Sequence, residues 1–90
     1  MKIVIVSGGF DPLHSGHINH FEAARGLGDK LIIALNSDDW LARKKGQPFM
    51  PFHERAAIIS KLQMVDDVWQ FNDDDESASA ALVRAKAAFP

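Results

Sequence analysis

The sequence predicts an α/β protein built on a parallel sheet. Three observations carry that prediction. Apolar runs at Ile3-Val4-Ile5-Val6, Lys30-Leu31-Ile32-Ile33-Ala34-Leu35 and Val65 to Phe71 alternate with stretches of helical spacing, and such alternation builds βαβ units. The first two runs lack the polar alternation of a half-exposed strand, as expected of strands covered on both faces. A Gly-rich turn, Ser7-Gly8-Gly9-Phe10-Asp11, follows the first run directly, and open α/β sheets carry their ligand loops at that end of a strand.

Composition sets the outer limits. Ninety residues make at most one domain, and a core of that size stabilises a fold only marginally. With a net charge of −2 the chain lacks the basic excess of a broad nucleic-acid surface, so no nucleic-acid partner is expected. It has no cysteine, which excludes disulfides, Cys–zinc sites and a thiol nucleophile and fits a cytoplasmic location. No apolar run approaches the ~18 residues of a membrane span, and the start of the chain lacks a signal-peptide pattern.

Taken in order, the first strand is expected at about residues 2–6. The first helix is expected from Gly16 to Leu27, with Ser15 as N-cap and Gly28 just past its end. Ile18, Phe21, Ala24 and Leu27 fall on one face of it. The second strand spans Lys30–Leu35, and its crossover from the first should be right-handed. Asn36-Ser37-Asp38-Asp39 then forms a loop beside the Gly-rich turn. A short helical turn around Trp40 and Leu41 leads into Arg43-Lys44-Lys45-Gly46-Gln47-Pro48, which reads as a mobile basic loop. The second helix starts near Pro51, a good first-turn residue, and carries Arg55, Ala56, Ile58, Ile59 and Leu62. The third strand is expected over Val65–Phe71, an acidic loop over Asn72–Glu76, and an Ala-rich third helix from Ser77 to Phe89.

The chemistry concentrates between the first strand and the first helix. Glycines let a ligand approach the backbone closely, and a helix N-terminus presents unpaired N–H groups and the positive end of its dipole. His14 and His17 add imidazole donors suited to charge developing on a phosphoryl oxygen. Two histidines alone would be unremarkable surface residues; a setting of strand, Gly-rich turn and helix start gives them a role. Reading His14, His17 and His20 as a zinc site fails for want of an acidic or sulfur ligand at metal spacing, so no protein-held metal is expected.

Phe10-Asp11 followed by His14-x-Gly16-His17 resembles the HxGH signature of the nucleotidyltransferase superfamily, in its cytidylyltransferase-like branch. The resemblance implies a Rossmann-like parallel sheet with helices on both faces and a strand order of 3-2-1-4-5. Residues 1–90 would supply only strands 1 to 3 of the family's five, a partial domain whose first strand has one edge to be covered by further chain or a partner. It further implies that Gly8, Gly9, Phe10, Asp11, His14, Gly16 and His17 bind the nucleotide, Phe10 chiefly by packing. Relatives often carry Thr where Gly9 stands. Lys44 lines up with an essential lysine of the family, Lys45 being the weaker alternative. Arg55, in Pro51-Phe52-His53-Glu54-Arg55, matches an arginine that faces substrate phosphates, and Asp38 matches an acid near the acceptor.

The implied reaction is attack of a phosphorylated alcohol on the α-phosphorus of CTP or ATP, with Mg²⁺ carried on the phosphates and pyrophosphate leaving. Transfer of CMP is the first expectation, since residues 1–71 are similar throughout to glycerol-3-phosphate cytidylyltransferases. Adenylyl transfer is the alternative, since the Asn36-Ser37-Asp38 loop and the stretch from Lys44 to Arg55 resemble the heptose 1-phosphate adenylyltransferase domain more closely. Gln63 stands where the glycerol-3-phosphate enzymes have a further arginine. A non-catalytic nucleotide-binding half-domain is the reading from another class. Relatives are commonly dimers, and a homodimer is expected.

Overall fold

β1 (Ile3–Gly8), β2 (Lys30–Leu35) and β3 (Asp67–Gln70) form one parallel sheet in the order β1-β2-β3 in the computed structural model, which describes residues 1–71, 73 and 74. α1 (Ser15–Arg25) joins the first pair of strands, and α2 (Asp38–Lys45) and α3 (Phe52–Ser60) join the second. β1 lies at an edge of this sheet and β2 in its centre, as the expected strand order requires.

The register explains which side chains form the core. Val4, Val6, Leu31, Ile33, Leu35 and Val68 project to one face, where they meet Phe21 and Ala24 of α1 and Ile59 of α3. Both helices share this face because the strands are added in one direction, and right-handed crossovers wound one way stay on one side. Ile5, Ala34 and Phe71 form a second, smaller cluster. Every residue from Leu31 to Leu35 is buried, as the uninterrupted apolar run predicted.

Several boundaries differ from the sequence expectation, each for a physical reason. β1 runs on to Gly8 because Ser7 and Gly8 still pair with Ala34 and Leu35. β3 is shorter than Val65–Phe71 because Val65 belongs to the turn after α3, its N–H bonding Leu62 O at 3.1 Å. α1 starts at Ser15 and is capped by His14, not Ser15, and it ends at Arg25, with Gly26 as its C-cap, rather than at Leu27. Gly28 instead allows close backbone approach: a Cβ there would lie 2.8 Å from Lys2 O and 2.9 Å from Val4 Cγ2. The short turn at Trp40 and Leu41 is the full helix α2, and Arg43, Lys44 and Lys45 form its last turn rather than a loop. Ser37 caps it, Asp38 and Asp39 sit at its positive end and the three cations at its negative end. Gly46, at φ 96°, stops it. The expected helix at Ser77–Phe89, and Asn72, Asp75 and Glu76 of the acidic loop, lie outside the described residues. No helix among the described residues is long and apolar enough to cross a membrane.

Candidate active site

The turn from β1 into α1 is held together by the two histidines themselves. His14 Nδ1 accepts from Gly16 N–H at 3.0 Å, and His17 Nδ1 accepts from the N–H of His14 at 3.1 Å. The imidazoles thus form a reciprocal helix cap, the role usually taken by Ser, Asp or Glu side chains. An acceptor Nδ1 carries a lone pair, so the proton of each neutral ring sits on Nε2. Each ring therefore keeps an Nε2–H donor that the cap does not use. The rings stack, with centroids 3.9 Å apart and planes inclined by 28°.

The neighbours fix this pair. Phe10 meets His17 edge to face at 5.1 Å and Phe21 likewise at 4.9 Å, which couples the turn to the core. Gly16 leaves room for the His14 ring, since a Cβ would lie 2.9 Å from its Cε1. The other two glycines serve packing: the space beside Gly8 holds the Phe10 ring, and that beside Gly9 holds Leu41. Burial, then the positive fields of His14 and His20, hold His17 below the usual imidazole range, favouring its neutral form.

Asp11 faces protein rather than open space. Its side chain is 0% exposed, accepts from the N–H groups of Phe49 and Met50 at 2.6 and 2.8 Å, and pairs with Lys45 Nζ at 2.8 Å. Burial raises its pKa, but Lys45 and the two backbone donors outweigh that and hold it below the ordinary carboxylate range. Lys45, not Lys44, is therefore the lysine fastened to the β1–α1 turn. Lys44 Nζ stands 5.6 Å from the centre of the Trp40 ring.

Arg55 is likewise enclosed by protein. It is 1% exposed and serves protein acceptors from three loops. Nε donates to Met50 O at 3.0 Å, Nη1 to Gly9 O at 2.9 Å and Asn36 O at 2.8 Å, and Nη2 to Asp38 Oδ1 at 2.7 Å. Asp38 keeps 43% of its side chain exposed beside this contact. It lines a groove of about 240 Å³ with Ser37, Asp39, Phe52 and Gln70. A larger groove of about 480 Å³, lined by residues such as Phe52, His53 and Val68, lies between α3 and β3 and touches neither His14 nor His17.

Asp73 is an organiser that the sequence did not single out. It is buried and accepts from Asn36 Nδ2 at 3.1 Å, Ser37 N at 2.7 Å and Ser37 Oγ at 2.8 Å. Burial raises its pKa, but these three donors outweigh it and hold the group low. Its run of acidic neighbours reads as solvated loop, so only the fold reveals its partners. No three His, Asp or Glu side chains converge on a metal-sized position among the described residues.

Comparison with known proteins identifies the family. The family model "Cytidylyltransferase-like" matches residues 5–86. The bifunctional protein HldE of Hahella chejuensis is 43% identical over 75 residues, 81% of this chain and 16% of that protein. Its counterpart in Methylococcus capsulatus is 40% identical over 85 residues, 92% of this chain and 18% of that protein. The chain thus spans less than a fifth of the length of these curated relatives. A lipopolysaccharide core biosynthesis protein from Thermoplasma volcanium superposes with a TM-score of 0.81 at 30% identity, over 93% of this chain and 69% of that one.

Proposed function

Because the chain belongs to the cytidylyltransferase-like family of nucleotidyltransferases, we propose that His14 and His17 hold a nucleoside triphosphate while its nucleotidyl group passes to a small phosphorylated sugar or alcohol. A phosphate oxygen of the acceptor forms the new bond to the α-phosphorus. The bond from that phosphorus to the bridging oxygen breaks, and pyrophosphate leaves with the electron pair. The observation that carries this reading is the reciprocal imidazole cap, which leaves two Nε2–H donors at a helix N-terminus. Such donors need no rearrangement as charge grows on the phosphoryl oxygens.

Lys45 is the cation best placed to meet the leaving phosphates, since it already bridges α2 and the β1–α1 turn. Lys44, one residue earlier at the exposed end of α2, is the second candidate. Asp38, with its carboxylate half-exposed in the smaller groove, is proposed to face the acceptor's hydroxyls. Mg²⁺ would come bound to the triphosphate and neutralise part of its charge.

ATP and a sugar phosphate are the proposed substrates. Two features support them over CTP and glycerol 3-phosphate: the Asn36-Ser37-Asp38 loop with the Lys44 to Arg55 stretch, and Gln63 in place of an arginine. The likeness to a protein titled for lipopolysaccharide core biosynthesis points the same way. The test is pyrophosphate release from the full chain with Mg²⁺, either ATP or CTP, and a panel of sugar and polyol phosphates. Turnover with ATP and a sugar 1-phosphate supports the proposal; turnover with CTP and glycerol 3-phosphate selects the second reading. Nucleotide binding without pyrophosphate marks a binding half-domain.

A further inference from the structure

We propose that Arg55 is a positioning residue, a buried tie that sets the spacing between the β1–α1 turn and the β2–α2 loop, and not a ligand of substrate phosphate. The inference rests on the nucleotide-site reading above but concerns how that site is built. Four hydrogen bonds leave the guanidinium, and their acceptors come from three separate segments. Gly9 O belongs to the turn that carries the histidines. Asn36 O and Asp38 Oδ1 belong to the β2–α2 junction, Asp38 being the first residue of α2, and Met50 O to the connection before α3.

A planar fork suits this task and a lysine does not, because one ammonium cannot span carbonyls set around a rigid plane. The tie is also buried. Among the described residues Asp38 is the one carboxylate on it, beside the carbonyls of Gly9, Asn36 and Met50. A phosphate reaching the guanidinium would have to displace the carbonyls of Gly9, Asn36 and Met50 and leave these buried or part-buried acceptors without that donor. The mechanical link to the histidines is short. Gly9 precedes Phe10, whose φ of 51° turns its ring onto His17 and Phe21. Anchoring Gly9 O therefore anchors the residue that sets the His17 ring.

The experiment is an NMR titration of the wild-type full chain, following the Arg55 Nε–H signal and the backbone amides of Gly16 and His17. Mg·ATP and glycerol 3-phosphate serve as separate probes. The proposal expects an Arg55 Nε–H signal that exchanges slowly with water and keeps its position when either probe saturates, while the Gly16 and His17 amides move with Mg·ATP. Movement of the Arg55 signal with either probe, to the extent of the amides or more, would overturn it. Unmoved Gly16 and His17 amides would reject the nucleotide-site reading, and slow exchange of Arg55 would still distinguish a buried tie from an open ligand. Arg55→Lys adds a kinetic arm: a tie predicts a fall in kcat of tenfold or more with little change in acceptor KM. Near-normal kcat with a raised acceptor KM is the signature of a phosphate ligand and would contradict the proposal.

Discussion

His14 and His17 each close the helix cap with Nδ1, which leaves Nε2 to carry the proton of the neutral ring. An asparagine keeps an acceptor close to where Nδ1 lies and removes the Nε2 donor. His17→Asn should therefore retain the fold and lower kcat by about 10²–10³, as read from pyrophosphate release beside a thermal melt. His17→Ala removes the acceptor as well and should also lose about 1 kcal/mol of stability. The pH dependence follows from the same geometry. A second proton can enter only at Nδ1, where it breaks the cap, and the folded-state pKa of His17 is lowered. Between that lowered value and the ordinary imidazole value near 6.5, the unfolded chain binds more protons than the native one. Stability and kcat/KM should both be complete above that window and fall as pH drops through it, in melts and rates measured across the mildly acidic range. A gain in stability on acidification through the same range would contradict the neutral-ring assignment.

At the scale of elements, the ends of strands and helices are settled by partners far along the chain. The alternation of three strands with intervening helices was legible in the apolar runs, and so was the parallel sheet. What local pattern could not show was why α2 is a helix and not a basic loop. Its caps and charges are local, but its hold on the fold runs through Asp73, whose contacts to Asn36 and Ser37 span 37 and 36 residues. Asp73→Ala should cost about 2–3 kcal/mol in urea unfolding, because it leaves buried donors unmatched. Part of the stability that Asp73 and Asp11 provide should vanish on acidification below the ordinary carboxylate value of 3.8, since both pKa values are lowered in the fold. Gly28 is the backbone counterpart. Gly28→Ala drives a methyl group against Lys2 O and should destabilise by about 1–3 kcal/mol, with the melting temperature as readout.

At the scale of the whole molecule, the site is a meeting of three loops at the C-terminal ends of parallel strands, as the fold class leads one to expect. The motif Phe10-Asp11-x-x-His14-x-Gly16-His17 was legible because its parts are adjacent in sequence. The work of Asp11, Lys45 and Arg55 was not, because a carboxylate or a cation has no sequence signature for the partner it finds 34 or 46 residues away. Whether the imidazole cap grips a triphosphate is read from calorimetric titration of Mg·ATP and Mg·CTP. The wild-type chain and a folded His14→Asn/His17→Asn double variant are compared. Binding by the wild type that weakens tenfold or more in the variant is the predicted result; equal affinity in the two chains would contradict the account.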